Sequence, residues 1–179
     1  NGTYEYPADF ILVAAMNPCK CGYYPDMQKC RCTASSIERY INRVSQPLLD
    51  RIDICVETPQ IQFEELNGRK KEECSDAIRE RVIRVHAIQR ERFRKEMFQY
   101  NSQIPASRIA EYCILSKNQE QYMKKIYKQL NLTARSYHKI LKVARTLADM
   151  DGSEAILDSH LNEAVCFRNI DKRFWRDSL

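Results

Sequence analysis

At 179 residues, 44% of them hydrophobic, the chain is long enough to bury a core in one large domain or two small ones, and its 30% of charged residues give it a solvated surface. A formal net charge of +5 is too mild for a dedicated nucleic-acid binder, and four glycines argue against an open-looped or β-rich fold. No apolar run of these 179 residues approaches the roughly 20 residues that cross a bilayer, so no helical membrane span is expected within them.

Phe10-Ile-Leu-Val-Ala-Ala-Met16 is a continuous apolar run bounded by Pro7 and by Asn17-Pro18, and it predicts a strand buried on both faces. A loop rich in Cys, Tyr and Pro follows, from Pro18 to about Ala34. Ser35-Ser-Ile-Glu38 fits a capping box and predicts a helix through about Val44. Pro47 opens a short turn, and Ile52-Asp-Ile-Cys-Val-Glu57 alternates like a second strand. The polar stretch from Thr58 to Cys74, with Pro59 and Gly68, reads as a linker. Beyond it the period becomes helical. Ala77, Ile78, Val82, Val85, Ile88 and Phe93 predict a broad stripe on a long helix from about Ser75 to Phe98. Shorter helices are predicted near Ala106–Leu115 and Asn118–Leu130. Thr133 is a suitable N-cap for a helix carrying Tyr137, Ile140, Leu141, Ala144, Leu147 and Ala148, ended by Asp151-Gly152. A last helix over about Asp158–Arg168 carries Leu161, Ala164 and Val165. The pattern is mainly α: a β-containing stub over 1–68, then an all-helical domain over 69–179. The stub has too few strands to close a sheet, so its partner strands are expected upstream. Opening at Asn1 rather than Met, and without a secretory signal, the sequence is expected to be a cytoplasmic piece of a longer chain.

Three single residues stand where ligand chemistry is done. Asn17 ends the first predicted strand, where open α/β sheets place ligands. Its amide can both donate and accept, and so orient a water against a phosphate; alternatively it makes a turn before Pro18. Arg51, in Pro47-Leu-Leu-Asp-Arg-Ile-Asp53, can reach a phosphate as a planar fork, or pair with Asp50 or Asp53. Arg135, in Leu132-Thr-Ala-Arg-Ser-Tyr-His138, sits in the first turn of its helix, where a cation opposes the helix dipole. A residue that breaks a local rule is a functional candidate, and an inconsequential exposed Arg is the other reading.

Eight cysteines without a secretory signal point to reduced thiols or a metal site rather than disulfides. Cys19-Lys-Cys21 and Cys30-Arg-Cys32 can supply four thiolates to a tetrahedral structural Zn2+, because residues i and i+2 of an extended segment share a face. Free, packed cysteines are the alternative. Cys55, Cys74, Cys113 and Cys166 are scattered, and His86, His138 and His160 form no ligand spacing. Arg79, Arg81, Arg84, Arg90, Arg92, Arg94 and Lys95 can meet DNA, but Glu80, Glu91 and Glu96 interleave with them, which favours an ion-paired, solvated face.

Three segments in this order, FILVAAMNPCKCG over 10–22, PLLDRID over 47–53 and LTARSYHKILKVARTLAD over 132–149, resemble the magnesium-chelatase-like AAA+ ATPases of the ComM/YifB type. The resemblance implies the C-terminal remnant of an AAA+ α/β core followed by a helical lid. It implies sensor 1 at Asn17, an arginine finger at Arg51 and sensor 2 at Arg135. It also implies ATP and Mg2+ as cofactors of the full-length protein, a homo-oligomeric ring, expected to be a hexamer, and DNA, single-stranded or branched, as the partner of a branch-migration helicase. No G-x-x-x-x-G-K-[ST] loop and no apolar strand ending in paired acids is present in these 179 residues, so the segment alone is not expected to hydrolyse ATP. Two rivals stay open: a chelatase-like ATPase that remodels a protein partner, and a non-enzymatic, zinc-stabilised DNA-binding module.

Overall fold

The computed structural model describes residues 2–6, 8, 10–58 and 73–175, with side chains described through Arg168. The chain packs as two compact units, 1–43 and 44–179. The expected 68/69 division, and most of the predicted linker, fall within 59–72, outside the described residues.

The architecture is mainly α, as expected. Neither predicted strand forms. Residues 10–16 carry no regular secondary structure, and their side chains lie open, with Ile11 90% and Val13 89% exposed. Residues 52–57 are also irregular. A strand is held by hydrogen bonds to a neighbouring strand, and among the described residues neither segment meets one.

In the first unit, helix α1 (Ala34–Ile41) begins one residue before the predicted capping box. Thr33 is its N-cap, its hydroxyl accepting from the Ser36 amide at 3.3 Å, and Ile37 and Ile41 are its buried residues. Thr33 takes the role expected of Ser35 because its extended backbone aims the hydroxyl at the third amide of the helix.

The second unit starts with the single turn α2 (Gln46–Leu49), with Pro47 in its first turn, where a missing amide costs nothing. Helix α3 (Ser75–Arg92) stops short of the predicted Phe98, at Phe93, which turns into the core at 2% exposure. The predicted stripe on α3 holds only in part. Val85 is buried, while Ile78, Val82 and Ile88 are 40–45% exposed. The predicted helix over 106–115 is a 3-10 turn at Ala106–Arg108 running into α4 (Ile109–Tyr112). Helix α5 (Lys117–Gln129) starts at a capping box of Ser116 and Gln119. Buried Gln119 also donates to the Ile156 carbonyl at 2.9 Å and the Asp158 carboxylate at 2.8 Å.

Helix α6 (Ala134–Met150) has the predicted Thr133 cap, accepting from Ser136 at 3.1 Å, and buries Ile140, Leu141, Ala144 and Ala148. Gly152, at φ 66°, adopts the left-handed conformation that lets the chain leave the helix. Helix α7 (Asp158–Trp175) runs beyond the predicted end and packs most extensively on α6 through Leu161, Ala164 and Val165. Phe93, Ile104, Ile109, Cys113, Met123, Leu132 and Ile156 complete this core.

A charged network threads the same unit. The Asp149 side chain is fully buried on α6, next to Ala148. It accepts from Arg145 at 3.1 Å, from the Asn101 amide at 2.8 Å and from both terminal nitrogens of Arg92. Arg145 in turn donates to the Glu154 and Ser153 carbonyls at 2.7 and 2.6 Å. One carboxylate therefore joins α3, the turn at 101–103, α6 and the loop after it.

Candidate functional site

The loop between Pro18 and Thr33 has no regular structure and is shaped by turns. Gly22 closes the first turn, its amide donating to the Cys19 carbonyl at 3.1 Å, and its φ of 83° is a conformation that side chains resist. Asp26 organises the second. Its carbonyl accepts from Lys29 and from Cys30 at 3.2 and 2.8 Å, while its carboxylate accepts from the Gln28 amide at 3.0 Å. These turns fold the two Cys-x-Cys arms onto each other. Cys19 and Cys30 are buried, Cys32 is half-buried and Cys21 is exposed.

The four sulfurs lie within 4.8 Å of one another, with Cys19–Cys21 at 3.3 Å, Cys21–Cys30 at 3.5 Å and Cys19–Cys30 at 3.8 Å. A tetrahedral zinc with bonds of about 2.3 Å sets sulfur–sulfur edges of about 3.8 Å, so these residues fit that ion. The thiols also share protons. The Tyr23 backbone amide and the Cys19 thiol hold Cys21 down to about 6. At Cys30 the Cys32 backbone pulls downward, but burial and the Cys21 and Cys19 sulfurs outweigh it and push the thiol up to about 12. Crowded sulfurs without a cation cannot all ionise, because each thiolate raises the cost of the next.

Asn17 stands at the mouth of this loop. It is exposed, and its side-chain amide lies over Gly22, where an added Cβ would sit 3.8 Å from Nδ2. Arg51 and Arg135 belong to the second unit, and both are exposed. The Arg51 guanidinium donates to the Pro47 carbonyl at 2.6 Å within its own turn. Arg135 occupies the first turn of α6, immediately before Ser136.

The turn carrying Arg51 is held on α6 and α7 by two cations, Lys139 and Arg168, to which the sequence motifs assign no role. Lys139 Nζ donates to the Arg51 carbonyl and pairs with Asp53 at 2.8 Å. Arg168, 2% exposed, donates to the Leu49 and Ile52 carbonyls at 3.3 and 2.5 Å and to Ser136 Oγ at 3.2 Å, and lies 3.8 Å from the Asp50 carboxylate. A signal for Arg168 did exist. It falls seven residues after Leu161 and three after Val165, on the apolar face of its helix, where a cation needs a reason.

The basic residues over 79–95 are largely committed to partners. Arg79 pairs with Asp76 at 3.3 Å, Arg81 grips Glu73 at 2.9 and 3.1 Å, and Arg94 pairs with Glu91 at 3.6 Å, while Arg92 enters the buried network. Of the interleaved glutamates, Glu91 takes part in this pairing, whereas Glu96 pairs with Arg108. His160 is buried, accepting at Nδ1 from the Leu157 amide at 3.0 Å and bonding Asp151 at 3.0 Å through Nε2, which must therefore carry the proton.

Residues 72–168 match the family described as magnesium chelatase, subunit ChlI C-terminal, and residues 1–66 match magnesium chelatase, subunit ChlI. The chain belongs to this magnesium-chelatase family of AAA+ proteins. It is 38% identical over 169 residues to the competence protein ComM of Haemophilus influenzae, covering 94% of this chain and 32% of that protein. It is 38% identical over 168 residues to the uncharacterized protein YifB of Escherichia coli, covering 93% and 32%. An uncharacterized protein of Mycobacterium tuberculosis is 29% identical over 173 residues, covering 97% and 34%. The chain thus spans about a third of the length of the curated relatives it matches.

Proposed function

We propose that this chain is the sensor, finger and lid portion of an ATP-driven AAA+ motor that works on DNA as a homo-oligomeric ring, a hexamer in the simplest arrangement. The observation that carries the reading is the packing of the Arg51 turn against the helix that bears Arg135. Both exposed guanidiniums then sit on one unit, where one can face a neighbouring subunit's nucleotide and the other can respond to nucleotide state. ATP and Mg2+ would be held by the phosphate loop and metal-binding acids of the larger protein. Arg51 would act on the charge that develops during phosphoryl transfer, and Asn17 would orient the attacking water. The open apolar run at 10–16 supports its role as a core strand that pairs with other strands of that protein.

The designation of the Haemophilus relative as a competence protein supports a DNA-linked task, here read as branch migration on branched or single-stranded DNA. Cys19, Cys21, Cys30 and Cys32 would hold a structural zinc. Four thiolates close its coordination sphere, so the ion ties the loop below Asn17 together and takes no part in the reaction. The helical segments include none long and apolar enough to cross a membrane among the described residues, in keeping with a motor of the cytoplasm.

The test is ATP turnover by the full-length ring with no DNA, single-stranded DNA or a four-way junction. DNA, and the junction most of all, is expected to raise turnover several-fold. A ring that turns over ATP equally with and without every DNA, yet responds to a protein partner, would overturn the DNA reading in favour of a remodelling chelatase.

A further inference from the structure

Among the described residues, the most deeply buried cation of the second unit is not one of the residues assigned above. Arg168 is the largest fully buried side chain of the described residues, at 2% exposure. Taking a guanidinium out of water costs several kcal/mol unless its donors are satisfied, and an apolar side chain of similar volume is often as stable. Its partners lie at one place. Nη1 bonds the carbonyls of Leu49 and Ile52, on either side of Asp50 and Arg51, and Nη2 bonds Ser136 Oγ, the neighbour of Arg135. Lys139, one turn further along α6, takes the carbonyl between them, that of Arg51 itself, and the Asp53 carboxylate. Three carbonyls of a four-residue turn are thereby fixed by cations from two helices, while the Arg51 guanidinium remains exposed.

We propose that Arg168, with Lys139 as its partner, is a positioning residue that locks the Arg51 turn to the first turn of the Arg135 helix, so that finger and lid move as one body. The inference rests on the reading of Arg51 as an arginine finger. Its physical basis is the planar fork: guanidinium donors diverge at fixed angles and can span two chain segments, whereas an ammonium is a point charge. A turn held at its carbonyls keeps one backbone direction at Arg51, and a misplacement of about 1 Å at a reacting group costs on the order of a hundredfold in rate.

The experiment compares Arg168→Lys and Lys139→Met with the parent sequence in the full-length ring. Steady-state ATP turnover is read together with hydrogen exchange at the Arg51 and Ile52 amides, which bond the Leu48 and Leu49 carbonyls of this turn. Expected for both variants are a kcat lower by about tenfold or more with KM for ATP within about twofold, and exchange at the two amides faster by about tenfold. Arg51→Ala added to either variant should then cost much less than it does alone, because the same interaction has already been impaired. Slow exchange with unchanged kcat in both variants overturns the proposal. Faster exchange with full additivity between Arg51→Ala and Arg168→Lys overturns it too, since Arg168 would then be acting elsewhere. If Arg51→Ala alone leaves kcat intact, the finger reading fails instead, and the exchange data still decide whether the turn is clamped. Should Arg168→Lys fail to fold, Lys139→Met alone carries the test, its partner Asp53 being 67% exposed.

Discussion

The four cysteines make opposite demands on one loop. Each pair is only two residues apart, and the sulfurs converge because Gly22 and Asp26 turn the chain between them. Removing one sulfur from a four-thiolate sphere leaves an open, weaker site. Cys30→Ser should therefore purify with far less than the roughly one zinc per chain expected of the parent by elemental analysis. The helical signal in circular dichroism should fall little, since the large apolar core lies in the second unit. A parent that contains no zinc when purified without chelator, and four thiols that all titrate freely in the folded state, would refute the site. The cysteine cluster was legible in the spacing. The apolar face of its helix marks Arg168 as a cation in need of a partner, but a Lys or Arg on a helix is normally solvated, and only the fold shows that the carbonyls of the Arg51 turn are the partners of Arg168 and Lys139.

Helices α3 and α6 meet through charge as much as through apolar contact. The helical period predicts the buried stripe on α6 at Ile140, Leu141, Ala144 and Ala148, but Arg145 and Asp149 are buried on the same helix, which the apolar period does not indicate. Asp149 neutralises two guanidiniums, one of them Arg145 at 5% exposure. Asp149→Ala removes the carboxylate that faces both guanidiniums and one of the two acceptors of the Asn101 amide, which keeps Thr146 Oγ1 at 3.0 Å. Removing one partner of a buried ion pair costs about 3–5 kcal/mol, and that loss is expected in urea unfolding of the variant. A loss under about 1 kcal/mol would show that water reaches the network. Helix α3 illustrates the reverse error. Its apolar residues predict a buried stripe along its whole length, whereas of that stripe Val85 and, past the helix end, Phe93 are buried, and Ile78, Val82 and Ile88 stay exposed. Periodicity states which face would be buried if a neighbour were present, and cannot state how far along the helix the neighbour extends.

In the proposed ring, Arg51 and Arg135 are expected to serve turnover for different reasons. Arg51→Ala in the full-length protein should lower kcat by about 10³-fold with a modest effect on ATP binding. Arg135→Ala should also uncouple hydrolysis from DNA movement, because the role proposed for Arg135 is to relay nucleotide state through the lid. Mixing Arg51→Ala subunits with subunits lacking a working phosphate loop tests the geometry across the interface. Intact fingers then face intact nucleotide sites at some junctions, and part of the activity should return. Mixed rings that demonstrably form and yet stay inactive at every ratio would rule out a finger acting in trans.

Local signals settled the helical half of this protein. Thr133 and the Ser116–Gln119 pair set where helices begin, Gly152 where one ends, and the apolar period on α6 and α7 set which faces pack, since caps and periodicity depend on residues within a turn or two of each other. Family membership was also legible, in short motifs of fixed order. Tertiary structure alone decided the rest. The runs at 10–16 and 52–57 have the composition of strands and remain irregular, because a strand exists through hydrogen bonds to a neighbour that its own sequence does not contain. Arg168, more than a hundred residues from Leu49 and Ile52, acquires its role only when the fold brings their carbonyls to it.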